Sequence, residues 1–308
     1  MISSFFSKAK PIHFVVVSLL LFIAFTITKI YNIKGTVNLV LIIEQILLFG
    51  VCFFSIFIFD FLSGKNDLTK SNSYKILFFS LFMVLMPQTF LDSKLLIANL
   101  FILLALRRII SIRSEVFINK KVFDAAFWIC LATLLSFWAS LYFILLFAAL
   151  LLYTVVDVKN WIIPLVGILT VAVLTVIFLL LTNTDIIAYF YNLNTDISFD
   201  FSSLNTKQIV VSSTVILSYF VWAVFFYINS IKSKSKSYKP SYLLVLLAAL
   251  IAITIIVIIP QKTGAEFIFL FAPLSIIMAN YLEIISEKWF KEILILALIL
   301  VPIINLML

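Results

Sequence analysis

The sequence has few of the residues that build catalytic and metal-binding sites. Its 308 residues include five glycines, two cysteines and a single histidine, His13. Five glycines do not supply the Gly-rich loop that holds a nucleotide phosphate in P-loop or Rossmann proteins. One histidine and two separated cysteines cannot build a zinc or haem site of the usual kind. We therefore expect no metal and no cofactor, and we interpret Cys52 and Cys130 as small buried apolar residues.

Charged residues are also scarce, at 12% of the chain, whereas 64% of the residues are hydrophobic and the mean hydropathy is +1.24. A soluble domain has about 25% charged residues. Here uncharged runs of roughly 18 or more residues, the length that crosses a bilayer as a helix, recur from end to end. The alternating segments of about ten residues that form a membrane barrel do not occur. The sequence predicts an all-α, polytopic transmembrane helix bundle that forms one integral membrane domain, residues 1–308.

The apolar segments and the basic residues together predict a topology. We count eleven segments: 12–31, 38–62, 75–91, 95–110, 123–138, 140–156, 161–182, 208–230, 241–260, 265–285 and 289–307. Basic residues collect in cytoplasmic connections. With a cytoplasmic N-terminus and alternating segments, all but five of the 22 Lys and Arg residues fall inside. This predicts eleven helices, with the N-terminus inside and the C-terminus outside. The run 123–156 is too long for one helix, and we place a break near Ser136–Ser140. The alternative is ten helices, with 123–156 as a partly embedded pair.

Two connections are large enough to carry chemistry, and the first is the cytoplasmic loop 107–121. Its basic residues alternate with apolar ones. A segment of this kind rests on anionic lipid at the membrane interface, or it docks a partner protein or a lipid phosphate. We predict lipid or partner contact for its five basic residues: Arg107, Arg108, Arg113, Lys120 and Lys121.

The second connection, 183–207, is the largest extracytoplasmic loop. It contains Asp185, Asp196 and Asp200 among several aromatic residues. Aromatic residues beside Asp and Asn are typical of the interfacial belt of a membrane protein. They also suit a sugar, whose apolar face stacks on a ring while its hydroxyl groups bond to carboxylates. Both interpretations stay open.

Ionisable side chains at bilayer depth are candidate functional sites because they are costly there. Glu44 lies inside the second apolar segment, and Lys29 lies in the last turn of the first. Both are about equally distant from a turn at residues 36–37, so an antiparallel hairpin predicts a structural ion pair between them. In the alternative, Glu44 is an acid or a cation-binding carboxylate that faces an outer cavity. Glu266 opens the tenth segment, where the helix dipole favours an acid.

Three stretches carry a family resemblance: FDFLSGKNDLTKSNSY at 59–74, LLIANLFILLALRRIISIRS at 95–114, and KKVFDAAFWICLATLLSFWASLYFILLFAALLLY at 120–153. They resemble an uncharacterised family of multi-pass inner-membrane proteins from Bacteroidota, flavobacteria in particular. The resemblance implies a multi-pass protein of the bacterial inner (cytoplasmic) membrane. It implies no particular activity.

A wider resemblance is to the GT-C type of glycosyltransferase, which takes sugars from polyprenyl-phosphate carriers at the outer face of the membrane. It lies in the short middle helices, the basic cytoplasmic turn, the broken apolar hairpin and a late helix, EFIFLFAPLSIIMANYLE at 266–283. These enzymes carry an acid in a sizeable first extracytoplasmic loop. Here that loop is only Asn32–Val37, and it contains Lys34 and no acid. Four acids elsewhere are weak candidates for the missing base: Glu44, Asp92, Asp185 and Glu266.

Three functional hypotheses follow. The first is a GT-C-like protein, active or degenerate, that handles a lipid-linked glycan at the outer face. The second is a non-catalytic subunit or scaffold of an envelope complex for secretion, motility or glycan assembly. A transporter is less expected, because Glu44 stands alone at bilayer depth and Gly/Pro-interrupted helix pairs are absent. The expected partners are membrane lipids, other membrane proteins and a polyprenyl-phosphate-linked sugar. We expect no nucleic acid, because the positive-inside rule accounts for the net charge of +8.

Overall fold

A computed structural model describes residues 1–32, 38–155, 157–191, 193 and 195–305. These residues form α-helices and short 3₁₀ turns, with no β-strand among them. The helices are α1 (Ile2–Phe6), α2 (Pro11–Asn32), α3 (Leu39–Lys65), α4 (Tyr74–Leu85), α5 (Gln88–Leu91), α6 (Ser93–Ile110), α7 (Ile118–Leu135), α8 (Tyr142–Leu152), α9 (Lys159–Leu181), α10 (Ile186–Tyr191), α11 (Lys207–Ser233), α12 (Lys239–Ile258), α13 (Ile268–Ile284) and α14 (Lys288–Asn305). The predicted all-α class is confirmed.

Each predicted apolar segment contains an α-helix, and two local breaks have clear causes. Segment 75–91 divides into α4 and α5 at Pro87, which has no backbone N–H to continue the helix. Segments 123–138 and 140–156 are separated at Ser136, whose backbone is extended, and by a 3₁₀ turn at Phe137–Leu141. The turn predicted at residues 36–37 and the loop residue Lys34 lie outside the described residues.

Seven helices of the described chain are long and apolar enough to cross a membrane. They are Pro11–Asn32, Leu39–Lys65, Ser93–Ser114, Lys159–Leu181, Lys207–Ser233, Lys239–Ile258 and Ala265–Ile284. Two shorter apolar helices are Tyr74–Leu85 and Phe137–Leu152. Helices α7 and α14 each carry three charged residues near the N-terminus. The protein is therefore a helical membrane protein by these spans, whereas eleven crossings and their orientation stay predictions.

Helices α4 and α13 form the centre of the bundle. Every residue of α13 from Ile268 to Leu282 is buried, and α4 is buried except at Val84. The two helices pack against each other, with the rings of Phe82 and Phe271 6.0 Å apart. A helix that is apolar on all sides is expected to be buried. Both sequences have this composition, which explains their central position.

Helix α7 packs on α6, and α9 packs on α7. The buried residues of α9 recur every three or four positions, so that one face packs inward and the others are exposed. Gly167 lies on the packed face. A Cβ atom there would be 2.8 Å from Cβ of Ala126 and 3.3 Å from the backbone of Phe123 and Phe127. The missing side chain lets the two backbones approach, as small residues do between membrane helices.

One group of connections meets at what we call the basic end. Its members are residues 1–10, 66–73, 111–117 and 234–238. The backbone N–H of Ser73 donates to the carbonyl of Phe6 (3.0 Å). The carboxylate of Asp67 lies 3.7 Å from Arg113 Nη2 and accepts a hydrogen bond from the Tyr238 hydroxyl (3.2 Å). Connections far apart in sequence are thus joined here.

A second group meets at the opposite end and includes residues 86–92, 195–206 and 259–264. The N–H of Ser198 donates to Ile258 O (3.1 Å), and the hydroxyl of Ser203 donates to Lys262 O (2.7 Å). This division into two ends is the one that the alternating topology requires. Which end faces the cytoplasm stays a prediction.

The close approach of α7 and α9 predicts unequal effects of alanine at two glycines. Gly167→Ala should destabilise the protein relative to Gly50→Ala by about 1–3 kcal/mol, the usual cost of overpacking. A Cβ at Gly50 would meet nothing within 4 Å, so this variant controls for the helix propensity of alanine. Thermal unfolding in one detergent measures both variants. Equal midpoints would contradict the packing described here.

Candidate functional site

Glu266 is the most buried of the four predicted acids, with 0% of its surface exposed. It lies in the 3₁₀ turn Ala265–Phe267, which follows Gly264 at a φ of +88°. Glycine adopts this left-handed conformation at low cost. One carboxylate oxygen of Glu266, Oε2, accepts hydrogen bonds from the backbone N–H (3.2 Å) and hydroxyl (3.3 Å) of Thr263. The other oxygen, Oε1, is buried without a partner among the described residues.

The Glu266 turn packs on α5. A Cβ atom at Gly264 would lie 3.5 Å from Met86 Sδ and 3.7 Å from Gln88 Cγ. The side-chain oxygen of Gln88 is likewise buried without a hydrogen-bond partner. The opposite end therefore contains two buried oxygens without hydrogen-bond partners among the described residues, Glu266 Oε1 and Gln88 Oε1.

Asp92 and Asp185 use their carboxylates within their own segments. Asp92 is the N-cap of α6 and accepts a hydrogen bond from the N–H of Leu95 (2.9 Å). Asp185 precedes α10 and accepts from the N–H of Ile187 (2.8 Å). An aspartate at a helix N-terminus satisfies backbone donors that the helix leaves free. These contacts give both acids a structural role.

The predicted ion pair between Lys29 and Glu44 is not formed among the described residues. The two helices lie side by side, because ring contacts join Phe22 to Phe49 (5.2 Å) and Phe14 to Phe53 (5.3 Å), whereas a register centred on residues 36–37 stays a prediction. Glu44 lies on the exposed face of α3. Lys29 Nζ lies 5.5 Å from the centre of the Phe25 ring, which is one turn earlier on the same helix. Glu44 is nevertheless close enough to Lys29 for the two charges to interact, so the structural role of the pair stays a prediction.

Lys262 fastens the loop 195–206 to the connection between α12 and α13, and sequence reasoning missed this role. Its side chain is buried and donates to the carbonyls of Ser198 and Ile259 (2.5 and 2.8 Å). Its ammonium also lies 4.7 Å from the centre of the Phe201 ring. Hydrogen bonds from Ser202, together with the charge of Lys262, lower the pKa of the exposed Asp200. These contacts fix the position of residues 195–206, which belong to the loop predicted to form an interfacial aromatic belt or to face a sugar.

At the basic end, the loop Asn66–Ser73, which we call the anchored loop, is mostly buried although its residues are mostly polar. Two side chains of α13 hold it. The Asn280 amide donates to Leu68 O (2.8 Å). The carboxylate of Glu283 accepts from Lys70 N (2.8 Å) and from the Asn72 amide (2.6 Å). The only sequence signal was a polar stretch inside an apolar chain, and this signal does not identify the partner helix.

Two of the five basic residues predicted to contact lipid or a partner, Arg113 and Arg107, stack on aromatic rings of the protein itself. Arg113 stacks on the ring of Tyr238 (4.0 Å) beside Asp67 and is partly buried, and its contact with lipid or a partner stays a prediction. Arg107 stacks on the ring of Phe61 at 4.7 Å. Its position there results from the packing of α6 on α3.

The other three, Arg108, Lys120 and Lys121, line a groove of about 480 Å³ between the N-terminal parts of α7 and α9, which we call the basic groove. Arg108 pairs with Asp124 at 2.7 Å. Lys121 donates to Ser111 O (2.5 Å) and to the hydroxyl of Ser114 (2.6 Å). The remaining lining residues are Phe117, Asn119, Phe123, Ile163 and Val166. A second cavity of about 700 Å³ adjoins the groove and shares Phe117, Asn119 and Lys120 with it.

The role of Lys262 that the structure shows is testable by replacing it with methionine. Losing a charge-assisted bond to buried carbonyls costs about 1.5–3 kcal/mol. Lys262→Met should therefore speed hydrogen exchange of the 195–206 amides about 10–100-fold, while helices α4 and α13 stay protected. Lys207→Met, a change at an exposed lysine of the same region, serves as control. Unchanged exchange in Lys262→Met, or an equal change in the control, would contradict the role.

The comparisons with known proteins concern the whole chain. The model of one family, described as a family of unknown function (DUF6427), matches residues 2–307. No curated protein and no solved structure matches the chain. Because the match spans nearly all of the sequence, the chain belongs to the family of unknown function DUF6427.

Proposed function

We propose that this protein is a non-catalytic membrane subunit of an envelope complex. The observation that carries the proposal is the separation of the four candidate acids. Asp92 and Asp185 cap their own segments, Glu44 is exposed on α3, and Glu266 has no exposed surface. A general base must come within about 2.6–3.2 Å of the proton that it removes. The described arrangement offers no pair of these acids around a common cavity.

The packing of the centre supports the same proposal. Helices α4 and α13 fill the bundle axis with buried apolar side chains. A transporter needs a binding site near the middle of the membrane that opens to either side. Both described cavities instead lie near the basic end, between the 111–121 and 153–166 regions. The broad exposed apolar surface of α2 and α3 is available for lipid or for another membrane protein.

The GT-C-like function is the second candidate, and one observation favours it. The unpaired oxygens of Glu266 and Gln88 lie at the opposite end, where the chain also has its aromatic loop 195–206. Both oxygens are buried, so in this alternative the turn around Glu266 would open and offer them as acceptors to the hydroxyl groups of a lipid-linked sugar. In this alternative Glu266 would be the acid that contacts the glycan, and the protein would be active or degenerate.

The remaining parts of the proposal concern the membrane. We propose eleven crossings with the N-terminus inside, in the inner membrane of a bacterium. The division of the connections into two ends supports this topology, because adjacent long segments run between opposite ends. The concentration of basic residues at the basic end supports a cytoplasmic orientation of that end.

An acid-replacement experiment separates the two candidate functions. In the producing bacterium, the chromosomal copy is replaced by the double variant Glu44→Gln, Glu266→Gln, and a deletion strain is made in parallel. If the protein is a subunit, the wild-type chain should migrate as a complex in a native gel run in mild detergent. This complex should be larger than a single 35.1 kDa chain with its bound detergent. The double variant should form the same complex and leave the envelope glycans unchanged.

Two outcomes would contradict the subunit proposal. One is a wild-type chain that migrates as a monomer in every mild detergent tested. The other is a double variant that accumulates and folds normally but loses an envelope glycan, because this would assign a chemical role to Glu44 or Glu266. Asp157→Asn, a neutral replacement at the basic end, controls for nonspecific effects of removing a carboxylate.

A further inference from the structure

The basic groove collects positive charge from two consecutive helices of the fold, α6 and α7. Arg108 comes from the end of α6, and Lys120 and Lys121 come from the first turn of α7. The one acid in the groove, Asp124, is already paired with Arg108. Burial lowers the pKa of Lys121, and Lys65 adds a further positive charge near Lys121 that lowers this pKa as well. The groove therefore carries a net positive charge, although Glu115 and Asp157 line the adjoining cavity.

Several donors of the groove are free to bind an anion. Lys120 is exposed and makes no hydrogen bond or ion pair among the described residues, with only the Phe117 ring near its ammonium (5.1 Å). Lys121 has three N–H donors and uses two of them, on Ser111 and Ser114. Burial, and next the charges of Lys65 and Arg108, lower the pKa of Lys121. A bound anion would relieve this repulsion.

The other wall of the groove is apolar and opens sideways. Phe123 of α7 and Ile163 and Val166 of α9 form it. Val166 is about half exposed, and the outward face continues along α9 through exposed residues such as Leu169 and Val173. This face belongs to a helix long and apolar enough to cross a membrane. The charged part of the groove is thus continuous with a surface suited to an acyl chain.

We propose that the basic groove binds one anionic glycerophospholipid. The phosphate lies between Arg108, Lys120 and Lys121, and an acyl chain lies along Phe123, Ile163 and Val166. A cationic cleft between membrane helices is a known arrangement for anionic lipid headgroups. A soluble phosphate would use the charges but leave the apolar wall without a function, and an acidic peptide would not match its lateral opening. This proposal is independent of the subunit function.

Native mass spectrometry of the full chain in mild detergent tests the proposal. The probe is phosphatidylglycerol, titrated in parallel with phosphatidylcholine and with glycerol phosphate, which has the anionic group but no acyl chains. We expect one molecule of phosphatidylglycerol to stay bound at concentrations where the other two compounds do not. Lys120→Glu should weaken this binding at least about tenfold, since it replaces a charge-assisted contact by repulsion.

Matched controls make the result specific to the groove. Lys236→Glu makes the same charge change at an exposed lysine of the basic end, and it should leave phosphatidylglycerol binding unchanged. Val166→Asn should weaken the binding, whereas Leu169→Asn, at an exposed position further along α9, should have a smaller effect. Both lysines are exposed, so folding is expected in both charge variants, and unchanged thermal midpoints check it.

Four outcomes would overturn the proposal. Phosphatidylglycerol could fail to bind, which would assign the groove to another occupant such as an acidic protein segment. Phosphatidylcholine could bind equally well, or the two lysine variants could lose binding equally, and either result would show a nonspecific lipid contact. Glycerol phosphate could bind as tightly as the lipid, which would show that the apolar wall takes no part.

Discussion

The structure depends on the burial of α13 and on the hydrogen bonds that its last two turns make with the anchored loop. Nearly the whole helix is inaccessible, so its packing leaves few alternatives for the helices around it. The loop brings polar backbone groups into the same interior, where an unpaired donor or acceptor is costly. Asn280 and Glu283 satisfy two backbone groups of the loop and one side-chain amide, that of Asn72. The central helix and the basic end are therefore held by one set of contacts.

This arrangement explains why so few polar residues suffice. The helices satisfy most of their backbone hydrogen bonds internally, as a membrane requires. Polar side chains are then needed chiefly where the chain leaves a helix. Asp92 and Asp185 serve the starts of two helices, Lys262 serves one connection, and Asn280 serves another. The acids and amides that stood out in an apolar sequence are used mainly for structure.

The positions of the helices were predictable because the length of an apolar segment and the position of a proline are local features of the sequence. Pro87 and the serines near residue 136 broke helices where the sequence indicated. The packing of α2 beside α3 was also predictable, because the two helices follow one another in the chain. A direct salt bridge between Lys29 and Glu44 was not, because the level of a side chain on a hairpin does not decide the direction in which it faces. Lys29 lies against Phe25, and Glu44 faces outward.

The sites at the two ends were less predictable for a different reason. The anchored loop and its partners on α13 are more than 200 positions apart in the chain, and no local pattern pairs them. Arg113 and Lys121 belong to one basic stretch, yet Arg113 stacks on Tyr238 while Lys121 lines the basic groove. Their different roles arise from the tertiary fold. The distribution of charge predicted the end of the bundle but not the individual contacts.

The cooperative role of α13 and the anchored loop is tested most directly by hydrogen exchange in Asn280→Ala. The variant leaves Leu68 O without its donor, which costs about 1–3 kcal/mol. If the loop and the helix form one unit, amides of residues 68–73 and of α13 should lose protection together and by similar factors. Faster exchange in the loop alone, with α13 unchanged, would contradict this account.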